Sequence, residues 1–284
     1  MNAQGYAAPR SLDEAVGLLS KHPGARVLAG GHSLLVEPNR HAIAGSLLVD
    51  IGRIAGLSGI EAQKDGSLKI GAMTTLATIA SDASLANACP ALVEAARATG
   101  DAQLRNRATV AGSLIADDSE GPLPAVALVL AATLEVQGQG GARTLPIEQA
   151  PPRGSLSPGD VVTAVRVPGA GPRSGVAYAQ VKHPATLGAV CCVAASVTLG
   201  ADGAITACRV AVSGATTRVE RLAGVEKALA GQRPGEAAIG TAAEGAGAGL
   251  TFRDDLFGSR DYRAHLTRVL TTRAVNRALE GARP

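Results

Sequence analysis

The sequence predicts an α/β (α+β) chain of two units, and three observations carry that prediction. Helix and strand patterns alternate near the start; from Gly59 onward short strands are joined by tight turns; and the last third combines a run of strands with a long amphipathic helix. At 284 residues the chain exceeds what one small core organises, which suits two compact bodies. The string Pro168-Gly169-Ala170-Gly171-Pro172 reads as a boundary. It gives a first domain of residues 1–172, with lobes at about 1–56 and 57–172, and a second of residues 173–284.

Ser11-Leu12-Asp13-Glu14 is a capping box, and Ala15, Val16, Leu18 and Leu19 supply the apolar stripe of a helix that ends at His22-Pro23-Gly24. Residues 25–28 then read as a buried strand and residues 46–51 as a second. Residues 59–62 and 67–70 form a hairpin about Lys64-Asp65-Gly66. Gly71-Ala72-Met73-Thr74-Thr75 turns the chain into a helix over residues 76–80, and Pro90 opens another over 91–98. Residues 101–115 read as a polar segment containing a small-residue turn, followed by an apolar stretch at 125–132 and strands at 133–136 and 161–167.

In the second domain, residues 178–182, 190–199 and 205–212 make a three-stranded antiparallel sheet, with Gly200-Ala201-Asp202-Gly203 turning between the last two. Residues 245–249, Gly and Ala only, read as a mobile linker. The final helix places Tyr262, Leu266, Val269, Leu270, Val275 and Leu279 on an apolar face, and Arg263, Arg268, Arg273 and Arg277 mostly on the other.

Composition narrows the function. Hydrophobic residues make up 46% of the chain, yet it holds only two Phe, three Tyr and no Trp, so the core is aliphatic and few bases could be stacked. The 27 Lys and Arg are scattered among 24 Asp and Glu, a net charge of +3 without a basic run. No nucleic-acid footprint follows. Cys89, Cys191, Cys192 and Cys208 lack the spacings of iron–sulfur or zinc sites, so no metal centre of those kinds is expected, and Cys191-Cys192 reads as a buried pair. Neither a secretory leader nor a membrane-length apolar run is present, which predicts a cytoplasmic protein without a membrane span.

The chemistry centres on Ala29-Gly30-Gly31-His32-Ser33-Leu34, an apolar strand running into two glycines and two polar side chains. Paired glycines expose N–H groups and reach φ > 0, while Ser and His add donors beside an anion. The same pair also makes an ordinary tight turn. A second small-residue turn, Thr109-Val110-Ala111-Gly112-Ser113, again offers hydroxyls. Two such turns suit a long phosphate-bearing cofactor, and no GxGxxG or Walker loop is available as an alternative.

These strings resemble the medium, FAD-binding subunit of molybdenum hydroxylases, the group typified by carbon monoxide dehydrogenase and xanthine dehydrogenase. Residues 29–34 match that family's AGGHSL signature, Gly71-Ala72-Met73-Thr74-Thr75 resembles its GAMTT turn, and Gln103-Leu104-Arg105-Asn106 with residues 109–113 is similar to QIRN…TIGGN. Arg209-Val210-Ala211-Val212-Ser213-Gly214 and Tyr262-Arg263-Ala264-His265-Leu266 resemble its C-terminal flavoprotein domain.

The resemblance implies a two-lobed PCMH-type FAD-binding domain followed by a smaller α+β domain. FAD would be held by Ala29, Gly30, Gly31, His32, Ser33, Leu34, Thr74, Leu104, Thr109, Val110, Ala111, Gly112, Ser113 and Lys182. Backbone N–H groups around Gly30, Gly31 and Gly112 would meet the diphosphate, and the Ser33, Thr109 and Ser113 hydroxyls would complete its shell. His32 would either donate to the cofactor or tie the loop to a neighbour. No residue need be a general acid or base. An iron–sulfur small subunit and a molybdopterin large subunit are the implied partners, in a heterotrimer or its dimer, with electrons leaving for an external acceptor.

The chain also departs from the family's pattern. Ala111 stands at a family glycine, Ser113 at its asparagine and Pro122 at an aspartate, for which Asp117, Asp118 or Glu120 could substitute only at another offset; the loop at residues 184–188 lacks an aromatic residue. A methyl at position 111 would carry strain if that position needs φ > 0. An alternative follows from these departures, a scaffold subunit that keeps the fold with weak or lost flavin binding. A third reading, a stand-alone flavin oxidase, would need a substrate-capping domain that the sequence does not show.

Overall fold

The computed structural model describes residues 5–35, 45–116, 121–150 and 156–283. The chain forms two compact units, Met1–Ile79 with Ala102–Asp117 and Ala131–Pro168, and Ala80–Asp101 with Asp118–Leu130 and Gly169–Pro284. The class is mixed helix and sheet, as the sequence predicts.

The first unit opens on β1 (Gly5–Ala7), α1 (Leu12–Lys21), β2 (Arg26–Leu28) and β3 (Leu47–Asp50). Ser11 caps α1 by accepting from the Glu14 N–H at 3.2 Å, and the Glu14 carboxylate accepts from the Arg10 N–H at 3.0 Å. Ala15, Val16 and Leu19 of α1 pack with Val49, Ile51 and Val161 in one buried cluster, where a fully buried aliphatic side chain contributes about 1.5–3 kcal/mol. The three strands pair in parallel, in the order β1-β3-β2. Instead of being buried, β2 is an edge strand with Arg26 exposed and Val27 and Leu28 half-buried.

The chain continues through β4 (Ile60–Ala62), β5 (Leu68–Gly71) and α2 (Leu76–Ser81). It then enters the second unit for α3 (Ala83–Ala88) and α4 (Pro90–Ala98), returns for α5 (Ala102–Arg107) and α6 (Val110–Ile115), and enters the second unit again for α7 (Pro122–Val129). The expected hairpin is present, and Gly66 at φ 79° makes its turn. Pro90 sits at the start of α4. The supposed polar segment and turn of residues 101–115 are instead two short helices, α5 and α6.

With β6 (Thr133–Gly138), β7 (Gly141–Pro146) and β8 (Val161–Val167) the first unit gains a five-stranded antiparallel sheet, in the order β4-β5-β8-β6-β7. Near its edge, Arg143 grips Asp160 with two bonds of 2.9 and 2.6 Å, and the Ser157 N–H adds a third at 2.5 Å. The Arg143 guanidinium, aided by that N–H, holds the Asp160 carboxyl below the ordinary carboxylate range. A depressed folded-state pKa stabilises the protein above the unfolded value and loses that contribution as pH falls through the folded value. Asp160→Asn is therefore expected to cost about 1–2 kcal/mol at neutral pH. Urea midpoints of wild type and variant should converge below roughly pH 3.9; a gap that stayed constant with pH would contradict this.

The second unit is completed by β9 (Ser174–Lys182), β10 (Ala189–Leu199), β11 (Ile205–Ser213), β12 (Glu220–Arg221), α8 (Ala223–Leu229), α9 (Glu236–Glu244) and α10 (Arg260–Ala282). Its antiparallel sheet runs β12-β11-β10-β9, with Gly203 at φ 80° in the turn before β11. Both α10 and α7 pack on β10, which explains why that strand reads as one continuous apolar run. Cys191 and Cys192 have no exposure, and burial pushes the Cys191 thiol up to about 11 and that of Cys192 higher still. They pack as small apolar residues, as expected.

Two expectations for this unit are corrected. Residues 245–249 form successive hydrogen-bonded turns, and Ala246 is buried in the core beside α9, so this is an ordered extension of the helix and not a linker. On α10 Leu266, Leu270, Val275 and Leu279 are buried as expected and Arg268, Arg273 and Arg277 are exposed, but Tyr262 and Arg263 change places. Arg263 is only 2% exposed while Tyr262 is 45% exposed. The inward face adds Arg263, Thr267, Thr271 and the small Ala274, Ala278 and Ala282 to those leucines and valine, and the two threonine hydroxyls donate back to the Arg263 and Thr267 carbonyls at 2.8 and 2.7 Å. Small side chains let the helix lie close to β9, where a Cβ on Gly175 would stand 2.0 Å from the Ala278 carbonyl oxygen.

Candidate functional site

Three sequence motifs of the first unit come together. Residues 71–75 run alongside residues 108–111: the Leu76 N–H donates to the Ala108 carbonyl at 2.9 Å, Val110 to Thr74 at 2.9 Å and Ala111 to Ala72 at 3.3 Å. A bridge pairs Thr75 with Thr109. The loop at residues 29–34 lies against the same segment, since a Cβ on Gly30 would stand 2.0 Å from the Arg107 carbonyl oxygen and 3.3 Å from Ala108 Cα. The Arg107 guanidinium in turn donates to the Gly30 carbonyl at 3.5 Å. Gly30 is thus required by its protein neighbour, and its glycine does not depend on a ligand.

The loop follows the carboxyl end of β2, in a parallel sheet, where α/β folds place ligands. Gly31 has φ 79°, a left-handed conformation that favours glycine, and its carbonyl accepts from the Leu35 N–H at 3.0 Å. Gly30, Gly31 and His32 lie beyond the last ladder pair, Leu28 with Asp50, and among the described residues no acceptor meets their N–H groups. Ala29, Ser33 and Leu34 are half-buried and His32 is exposed. The His32 imidazole makes no hydrogen bond among the described residues. Consecutive unspent N–H groups around a left-handed glycine form an anion-binding concavity, so this loop fits a diphosphate.

The facing turn behaves differently from the expectation. Residues 110–113 form the first turn of α6 and all four N–H groups are already used: Val110 and Ala111 as above, Gly112 on the Thr109 hydroxyl at 3.3 Å, and Ser113 on the Thr109 carbonyl at 2.9 Å. Gly112 is therefore not an open backbone donor. Thr109 is 3% exposed and serves as the N-cap; the Ser113 hydroxyl is the more open group of this turn, in a half-buried residue. Ala111 is helical, not left-handed, and its methyl is buried in the protein, so the strain considered for that position does not arise. Val110 is wholly buried, and the half-buried Leu104 accepts from the Ala108 N–H at 2.7 Å.

Thr74 is buried and its hydroxyl both donates to the Gly59 carbonyl and accepts from the Gly59 N–H, each at 3.0 Å, so its side chain pins the β4 entry. Lys182 belongs to the second unit, where its ammonium donates to the Ala98 carbonyl. Pro122 is the buried first residue of α7, a position that favours proline. Asp117, Asp118 and Glu120 lie outside the described residues. Arg107, which the sequence reading left out of the site, joins it here; a basic residue between the two motif strings was the available signal. Among the described residues no group of three or more His, Cys, Asp or Glu converges as a metal site, and no helix is long and apolar enough to cross a membrane.

Comparison with known proteins decides the family. The profile described as "FAD binding domain in molybdopterin dehydrogenase" matches residues 2–170, and that of the "CO dehydrogenase flavoprotein C-terminal domain" matches residues 176–278. The chain belongs to the molybdopterin-dehydrogenase FAD-binding family. It is a FAD-binding oxidoreductase subunit of the medium-chain kind. The medium subunit of nicotine 6-hydroxylase from Paenarthrobacter nicotinovorans is 31% identical over 281 residues, covering 98% of this chain and 97% of its own. The carbon monoxide dehydrogenase medium chain of Hydrogenophaga pseudoflava is 31% identical over 281 residues, covering 96% of each. Among solved structures, carbon monoxide dehydrogenase from Hydrogenophaga pseudoflava superposes with a TM-score of 0.91 at 30% identity over 98% of both chains. Quinoline 2-oxidoreductase from Pseudomonas putida 86 gives 0.87 at 30% identity, over 99% of this chain and 98% of its own.

Proposed function

We propose that this chain is the electron-transfer subunit of a cytoplasmic molybdenum hydroxylase. It takes electrons from iron–sulfur clusters on a small subunit, fed by a molybdopterin-containing large subunit, and delivers them to an external acceptor, in a heterotrimer or its dimer. Residues 1–172 serve as the FAD domain and residues 173–284 as the C-terminal flavoprotein domain. The observation that carries the reading is the run of N–H groups at Gly30, Gly31 and His32 that meet no acceptor among the described residues, beside the segment that bears Thr109 and Ser113. Those N–H groups and the Ser33 and Ser113 hydroxyls would hold the FAD diphosphate, with Ala29 and Leu34 setting the loop's path and Thr74, Leu104, Val110, Ala111 and Gly112 shaping its support. FAD, when bound, supplies the exchange between single-electron and two-electron transfer; the chain's own residues bind and orient it.

The scaffold alternative loses one of its supports, because Ala111 is unstrained and packed inside the protein. Anaerobic mixing separates the readings. In the complex purified from its host, flavin should bleach when the substrate of the molybdenum subunit is added, and the isolated chain should not respond to the same substrate. A complex whose medium chain is colourless would favour the scaffold, and bleaching of the isolated chain would contradict the electron-transfer role.

A further inference from the structure

The geometry points to the turn at residues 183–188 as a pH-operated latch whose catch is the unprotonated His183 ring. It lies wholly in the second unit and stands apart from the cofactor loop. Residues 183–187 make a single α-turn between β9 and β10: the Leu187 N–H donates to the His183 carbonyl at 2.9 Å, and the His183 N–H donates to the Gly188 carbonyl at 2.9 Å. Pro184 takes the first position of the turn, where an N–H would have no partner. The next two donors, the Ala185 and Thr186 N–H groups, both reach His183 Nδ1 at 3.3 Å. The imidazole thus does what a serine or aspartate oxygen does at a helix N-cap. Nδ1 accepts only while it carries no proton. In the imidazolium it becomes a donor facing two other donors, and it sets a cation at the N-terminal end of the turn, where positive charge is disfavoured.

The closed turn is held against strain, which is the second observation. Leu187 has φ 57°, a left-handed conformation uncommon outside glycine, and its side chain is 38% exposed. The Gly188 N–H reaches the Thr186 hydroxyl at a long 3.4 Å. Residues 184–187 are all exposed, so opening the turn uncovers no core. The His183 ring meets Phe257 edge-on, with centroids 4.7 Å apart. Around it, the Arg263 guanidinium lines the same small cavity as His183 and Thr186 and is paired with Asp255 at 2.6 Å, and Arg253 stands 3.9 Å from that carboxylate. Asp254 pairs with Arg260 at 3.5 Å, and Lys182, next to His183 on β9, donates to the Ala98 carbonyl. Among the described residues none of these charges bonds to the imidazole, so its own protonation decides whether the two amides keep their acceptor. Imidazoles change charge between about pH 5 and 8. The opened turn takes up a proton that the closed turn has no place for, so falling pH shifts the population toward the opened turn.

Nuclear magnetic resonance of the isotope-labelled full-length chain, titrated from about pH 8 to pH 5, tests the inference. The Ala185 and Thr186 amide signals should shift along one curve with the His183 ring nitrogens. Over the same range both amides should lose their protection from solvent exchange, once the intrinsic pH dependence of exchange is divided out. His183→Asn, whose side-chain oxygen caps without titrating, should keep the high-pH pattern throughout. His183→Ala should show the opened pattern at every pH. A His183 ring that titrates while Ala185 and Thr186 stay protected would overturn the latch. A loss of protection at low pH that survives in His183→Asn would assign the change to another group and overturn the role of His183.

Discussion

Alanine at Gly30 is expected to weaken FAD binding on the order of a hundredfold while leaving the chain folded. The new Cβ would stand 2.0 Å from the Arg107 carbonyl oxygen, 2.9 Å from the carbonyl carbon and 3.3 Å from Ala108 Cα. All three are backbone atoms of a segment fixed by the Leu76, Val110 and Ala111 N–H bonds, so the loop is the part that must move. Displacing it misaligns the N–H groups of Gly30, Gly31 and His32 together, and losing two charge-assisted hydrogen bonds at about 1.5–3 kcal/mol each accounts for the effect. The loop follows an edge strand, so the unfolding free energy from a urea melt should fall by less than about 1 kcal/mol. Fluorescence titration with FAD, run beside the urea melt, checks both halves. Unchanged FAD affinity in a folded Gly30→Ala protein would mean that the loop's position does not matter to the cofactor.

The largest effect on stability is expected at Arg263. Its guanidinium donates to the Val190 carbonyl at 2.6 Å, to Gly214 at 2.7 Å, to Gly258 at 3.2 Å and to the Asp255 carboxylate at 2.6 Å, all at 2% exposure. Arg263→Met would leave three carbonyls and the part-buried Asp255 carboxylate without that partner, and acceptors left unsatisfied at about 1–3 kcal/mol each bring the cost to about 3–5 kcal/mol. The melting temperature should fall by roughly 10 °C. Arg263→Lys should be nearly as damaging, because a single ammonium cannot serve four acceptors that a planar fork reaches. The measurement is thermal unfolding of the purified chain, and a loss below about 1 kcal/mol would show that the buried cation is dispensable.

Much of the fold was legible where the signal is local. Ser11 before Leu12, Pro90 at a helix start, Asp65-Gly66 and Asp202-Gly203 in turns, and the apolar run through Cys191-Cys192 each carry their own stereochemistry, and each stands where it was read. Hidden features depend on distant partners. β1 is only Gly5–Ala7, and its partner Leu47–Val49 is far along the chain, so no periodicity could reveal it. α5 buries none of its residues and therefore lacks an apolar stripe. α6, rich in small residues, looked like a turn because its first N–H groups are satisfied by carbonyls from residues 72 and 74 as well as by its cap.

The candidate site shows the same division. Its residues were readable as strings, because glycine pairs and hydroxyls advertise anion chemistry, but which donors are spent was not. Thr74 and Thr109 looked equivalent to Ser113 in sequence, yet their hydroxyls pin Gly59 and cap α6. Arg263 misled for a related reason. Helical periodicity assigns a charge to the solvated face unless something buried pairs with it, and its partners come from residues 190, 214, 255 and 258.

Amide hydrogen exchange on the full-length chain, with and without saturating FAD, tests the location of the cofactor most directly. The N–H groups of Gly30, Gly31 and His32 have no acceptor among the described residues and should exchange fast in the free chain. FAD should slow a peptide covering residues 29–34 strongly. Residues 110–113, already hydrogen-bonded, should be protected in both states and change little. Protection that left residues 29–34 untouched and appeared elsewhere in the chain would contradict the assignment of this loop as the diphosphate site.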